Sequence, residues 1–197
     1  VTGCSIGAVM AAILVGARGD PRDHLDELWR RMAMQTNPFV PAMFANTFPA
    51  LGANALYRIN PAYYTAPPLA TYVYDPAPLE QAIEDWVDFR RVRRSATELI
   101  VTAVEVKSGR LAEFSNRQRF GVRHVMASAS LPPVFPTVGI NGGDYWDGGL
   151  ISNTPLRPAL NAIEAHNAAD PKARWEIIVV DLFAPTGEPG TVAVTAT

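Results

Sequence analysis

The chain opens Val1-Thr2-Gly3-Cys4-Ser5-Ile6-Gly7-Ala8-Val9-Met10-Ala11-Ala12, and the reading of this stretch decides the fold. Val1 and Thr2 read as the end of a strand, and Ile6 to Ala17 as a helix rich in small apolar residues. Between them lies the pattern Gly-x-Ser-x-Gly. A serine set between a strand and a helix sits on a sharp turn with its hydroxyl exposed. Gly3 and Gly7 are expected there because side chains would collide with neighbouring backbone. The helix directs its positive end at Ser5, and the Ile6 N–H can donate to an oxyanion developing beside it. Ala8, Ala11 and Ala12 let the helix lie close to a sheet. Cys4 is a rival nucleophile by its chemistry, but the central serine is the apex of such a turn and Cys4 points the other way. The blander reading is a Gly/Ser turn with no chemistry.

Outward from this turn, Gly19-Asp20-Pro21 is a break, with Asp20 as N-cap and Pro21 at the first helical position. Asp23 to Met34 follows as an amphipathic helix through Leu25, Leu28, Trp29 and Met32. Residues 36–75 are rich in proline and aromatics and poor in charge. They read as a cap region, either packed irregularly on the core or lying as a greasy lid over a site. Ala77 to Val87 reads as a helix with Leu79, Ile83, Trp86 and Val87 on one face. Leu99 to Val106 and Arg110 to Ser115 form a hairpin about Lys107-Ser108-Gly109. A short helix spans Gly121 to Ala129. Short strands over Val134 to Ile140 and Asp144 to Trp146 flank the turn Asn141-Gly142-Gly143. Thr154 is expected to cap a helix running to about His166. Glu176 to Phe183 reads as a buried parallel strand. Helices alternating with buried strands argue for an α/β sheet covered on both faces, in one domain over residues 1–197.

Composition supports this and excludes other classes. Of 197 residues, 48% are apolar and 18% charged, which is globular and enough for one sizeable core. A net charge of −2 gives no overall basic field for nucleic acid. The single cysteine forms no intrachain disulfide, and His24, His124 and His166 share no ligand spacing, so no metal site is expected. No apolar run reaches the length of a membrane-spanning helix. The Arg90-Arg91-Val92-Arg93-Arg94 cluster reads as a solvated face or a helix end complementing the dipole. Its sharper reading is attraction to anionic head groups, and so peripheral membrane contact.

A second chemical motif is Asp147-Gly148-Gly149, where an acidic residue leaves a short strand and enters a glycine pair. Paired glycines permit left-handed backbone and close approach, so the carboxylate can reach a partner. The blander reading is a simple Asp-Gly turn. If Asp147 meets Ser5 it can take the hydroxyl proton directly, with desolvation raising its otherwise weak basicity. The chain order Ser5, Asp147, His166 also permits an α/β-hydrolase triad. A non-catalytic binding or scaffold protein on the same fold is the third alternative.

Taken together, these residues resemble the patatin-like phospholipase family. Gly3 to Gly7 matches its nucleophile turn, and Asp147-Gly148-Gly149 its aspartate motif. Met126-Ala127-Ser128-Ala129-Ser130-Leu131-Pro132-Pro133-Val134-Phe135-Pro136 is similar to its run of small residues leading into Pro-Phe-Pro. Asn153-Thr154-Pro155-Leu156 and Val179-Val180-Asp181-Leu182 also fit. The resemblance implies a three-layer α/β/α fold with a mainly parallel central sheet. It implies a Ser5–Asp147 dyad without a catalytic histidine, acting on lipid acyl esters through an acyl-serine and needing no metal or organic cofactor. The family's glycine-rich oxyanion loop lies upstream of the nucleophile turn, where this sequence has only Val1 and Thr2. The chain is therefore expected to be a fragment, truncated at the N-terminus and cut short in Thr186 to Thr197.

Overall fold

The computed structural model describes residues 1–33, 55–65, 70–170, 172 and 174–180. Much of the expected cap region 36–75, and the expected strand beyond Val180, lie outside them. In chain order the elements are β1 (Thr2–Gly3), α1 (Ile6–Gly16), α2 (Pro21–Met32), β2 (Arg58–Ile59), α3 (Ala62–Thr65), β3 (Tyr74–Asp75) and α4 (Ala77–Trp86). There follow α5 (Phe89–Arg94), β4 (Ile100–Glu105), β5 (Arg110–Ser115), α6 (Val122–Ser128), β6 (Val138–Ile140), β7 (Gly143–Asp147), a 3₁₀ turn (Gly148–Leu150) and α7 (Leu156–Ala169).

β4 organises the sheet. Its sequence Ile-Val-Thr-Ala-Val is almost wholly buried, as befits a β-rich strand covered on both faces. β5 pairs with it antiparallel from Ile100↔Ser115 to Glu105↔Arg110, which occupies one edge completely. The other edge is shared. β1 runs parallel to its first half, with Thr2 opposite Ile100 and Gly3 opposite Val101. β7 runs antiparallel to its second half, with Asp147 opposite Ala103 and Tyr145 opposite Glu105. β6 extends the sheet beyond β7. The architecture is α/β/α with a mixed sheet, its parallel pair β1–β4 at the core.

The core forms where the apolar faces of the helices meet this sheet. Val9 and Ile13 of α1, Leu79 and Ile83 of α4, and Val125 of α6 are fully or almost fully buried in one cluster with Val101 and Ala103. The small residues of α1 permit close packing, since Ala8, Ala11 and Ala12 are buried. Asp20 caps α2 as expected, accepting from the Arg22 N–H. Of the expected α2 stripe only Leu28 is fully buried, while Trp29 is 41% exposed. The β6–β7 turn places Asn141 and Gly142 both at positive φ (49° and 86°), which a two-residue hairpin requires. Part of the cap region is visible as the β2–β3 ribbon. It docks on the segment after α6, where the Val73 and Tyr74 N–H groups donate to the Val134 carbonyl.

The solvated reading of Arg90 to Arg94 holds, since all four arginines are exposed, but they belong to a short helix of their own, α5, with Arg91, Arg93 and Arg94 in its last turn. Asp88 starts α5, its side chain accepting from the Arg90 and Arg91 N–H groups. Two sequence expectations are corrected. Pro155, not Thr154, occupies the N-cap of α7, without a side-chain cap bond. Residues 176–180 form no strand, and Ile178 and Val180 are exposed. A continuous apolar run becomes a buried strand only when a neighbouring strand pairs with it, and among the described residues none does.

Candidate active site

Ser5 occupies the corner between β1 and α1 with φ 56° and ψ −129°, a left-handed backbone that non-glycine residues adopt only when the surroundings enforce it. The enforcement comes from α6. The Ser5 N–H donates to both the carbonyl and the Oγ of Ser128, each at 3.1 Å. Gly3 lets the chain fold back on itself. A Cβ there would lie 2.5 Å from the Gly7 carbonyl oxygen and 2.8 Å from the Ala8 Cα. Gly7 is different: a Cβ there meets nothing within 4 Å, so the expected collision holds for the first glycine and not for the second. The Gly7 and Ala8 N–H groups donate to Cys4 and Ser5 carbonyls. The Ile6 N–H, at the first position of α1, stands at the positive end of that helix.

Asp147 ends β7 and is 1% exposed. Its N–H donates to the Ser130 carbonyl at 2.9 Å. Its Oδ1 accepts from the Gly149 N–H at 2.7 Å, and its Oδ2 accepts from the Ser5 hydroxyl at 2.6 Å. Burial raises the Asp147 carboxyl above the ordinary carboxylate range, opposed in part by the bonds from Ser5, Gly149 and Cys4. The glycines after it serve close approach alone. At Gly148 a Cβ would stand 2.5 Å from the Thr102 carbonyl oxygen, and at Gly149 it would strike Asn153 Oδ1. Neither glycine has the left-handed φ that the sequence reading allowed for.

The two residues meet across 142 positions of sequence because β1 and β7 abut on one edge of β4. β1 ends opposite Val101 and β7 opposite Ala103. Only Thr102 separates the two ends, so the residues that leave them converge. Cys4, next to the apex, is buried. Its Sγ donates to Asp147 Oδ1 at 3.7 Å. Burial first, then Asp147, pushes its thiol up to about 12, which disfavours the thiolate that a cysteine nucleophile needs.

The histidines lie elsewhere. His24 stacks on Trp86, His124 packs between Phe114 and Phe120, and His166 sits beside Trp175. Among the described residues none hydrogen-bonds Ser5 or Asp147. The described residues also hold no cluster of three metal-ligating side chains and no helix long and apolar enough to cross a membrane. The arginines of α5 stand at the far end of α1: Val92 packs over Gly16, about 16 Å along the helix from Ser5.

Sequence reading missed Ser128, Ser130 and Thr102. The first two hold the backbones of Ser5 and Asp147. The run Ala127-Ser128-Ala129-Ser130 was visible as small residues, but its carbonyl and hydroxyl partners depend on the fold. The family model described as Patatin, patatin-like phospholipase, matches residues 1–160. No curated protein matches the chain.

Proposed function

The chain belongs to the patatin-like phospholipase family, whose members are in general lipid acyl hydrolases, and from this premise we propose that it cleaves acyl esters of lipids with Ser5 as nucleophile and Asp147 as base. The observation that carries the proposal is the 2.6 Å hydrogen bond from Ser5 Oγ to Asp147 Oδ2. It joins nucleophile and base directly, within the reach general-base catalysis needs.

The Ser5 oxygen attacks the ester carbonyl carbon while its proton passes to Asp147 Oδ2. A carboxylate is ordinarily a poor base for a hydroxyl. Removal from water raises its affinity for the proton, and stabilisation of the forming oxyanion lowers the barrier that remains. The Ile6 N–H and the positive end of α1 supply part of that stabilisation. When the tetrahedral intermediate collapses, the leaving alcohol takes the proton from Asp147, and the acyl group stays on Ser5. Water then attacks the acyl-serine, giving its proton to Asp147. Collapse returns that proton to Ser5 and frees the fatty acid. The Ser128 contacts keep the strained Ser5 backbone in place throughout.

Intact-mass detection of fluorophosphonate labelling, beside Ser5→Ala, tests the reading. A single adduct that disappears in Ser5→Ala is the expected result. No adduct on demonstrably folded protein refutes it and favours the scaffold alternative.

A further inference from the structure

The underside of the nucleophile turn carries a group that this mechanism leaves unused. The Asp147 carboxylate has two oxygens with separate duties. Oδ2 faces Ser5. Oδ1 receives two donors, the Gly149 N–H from the chain ahead and the Cys4 thiol from the β1 side. Cys4 directly precedes Ser5, so one two-residue step of chain approaches both oxygens of one carboxylate. A carboxylate turned about its Cβ–Cγ bond would exchange its oxygens. Two donors fixed on Oδ1 oppose that rotation.

We propose that Cys4 is a positioning residue, whose thiol holds the Asp147 carboxylate with Oδ2 on Ser5 and keeps it ionised enough to act. This rests on the reading of Asp147 as the base. Cys4 is 6% exposed, which puts it beyond the reach of solvent reagents. Its high thiol pKa keeps the S–H a donor across the working range of pH. The groups that face the pair from other elements are neutral: Thr102 of β4 and Ser128 of α6. Ser5 and Gly149 complete the set around the carboxylate. Among the described residues the groups acting on Asp147 are Ser5, Gly149 and Cys4, none of them charged.

The sign is fixed. A hydrogen bond to the ionised form lowers a carboxyl pKa, so loss of the thiol raises it. In Cys4→Ala the acid limb of the kcat/KM profile moves to higher pH, by a few tenths of a unit up to about one unit, the size of one weak hydrogen bond. A packing defect alone lowers the rate at every pH and leaves the limb in place, and that result overturns the proposal. A second measurement needs neither activity nor a Cys4 variant. The chain has one cysteine, so its S–H stretching band in the infrared has a single source. The band is expected at lower frequency in the native chain than in Asp147→Asn, and it should titrate with Asp147 in the native chain. An identical, pH-independent band in both proteins refutes the contact. If fluorophosphonate labelling fails while the band shifts as expected, the reading of function has failed and the contact stands.

Discussion

The two glycines that flank Ser5 look equivalent in sequence and are not equivalent in the structure, which gives a paired test. In Gly3→Ala the new Cβ would lie 2.5 Å from the Gly7 carbonyl oxygen, 2.7 Å from its carbon and 2.8 Å from the Ala8 Cα. Every obstacle is backbone, so relief requires α1 to move off β1 by several tenths of an ångström. Overpacking of this kind costs about 1–3 kcal/mol. In a domain of this size that lowers the melting temperature by roughly 2–4 °C per kcal/mol. The displacement falls on the residues that carry Ser5, and misplacement on the order of 1 Å costs about 100-fold in rate. In Gly7→Ala the Cβ enters open space. The backbone there is not left-handed, and alanine improves helix propensity by up to about 1 kcal/mol. Gly7→Ala is expected to melt at or above the wild-type temperature and to hydrolyse a short-chain p-nitrophenyl ester within a few-fold of wild type. Thermal melts and initial rates on both variants decide the matter. A Gly3→Ala protein with native stability and rate, or a Gly7→Ala protein that fails to fold, refutes the close-approach reasoning.

Asp147→Asn should abolish hydrolysis yet melt no lower than wild type at neutral pH. The fold holds that carboxyl above its ordinary pKa, so its ionised form opposes folding at pH values above the folded pKa, and neutralising it removes the penalty. For the same reason the native kcat/KM is expected to fall as pH drops through a limb above the usual carboxylate range, seen in a pH–rate profile. His166→Ala and His124→Ala should both keep fluorophosphonate labelling at Ser5, whereas a triad would lose it in the first. Leu150 and Ile151, directly after the Asp-Gly-Gly turn, are 48% and 52% exposed. Replacing both with serine is expected to slow hydrolysis of vesicle lipids while sparing a soluble ester, and equal loss on both substrates would sink that expectation.

The parts of the molecule legible in sequence were those encoded locally. The α1 packing face is written in Ala8, Ala11 and Ala12, the β6–β7 hairpin in Asn141-Gly142, and the α2 cap in Asp20. Ser5 and Asp147 were each marked by flanking glycines, but their meeting is a property of strand order. Nothing near either residue says that β1 and β7 end on the same edge of β4. The α5 helix was missed because four arginines dominate it. The signal that could have found it was Asp88 as cap, with Val92 fully buried and Phe89 partly packed against the core. The run from Glu176 failed in the opposite direction. Its apolarity was real, but pairing is a long-range fact. The contact of Cys4 with the carboxylate of a residue 143 positions away had no sequence mark at all.

The shared edge of β4 makes the dyad a quantised arrangement. A strand can change register only in whole residues. A slip of one turns each side chain to the opposite face, and a slip of two carries it about 6.6 Å along the sheet. Either step separates Ser5 from Asp147 beyond proton transfer, and no intermediate spacing exists for the backbone to occupy. Insertions and deletions in the long chain between the two residues therefore leave their spacing untouched so long as both strands keep their seats on β4. The surroundings of the two residues can thus change while the pair itself moves only as a unit.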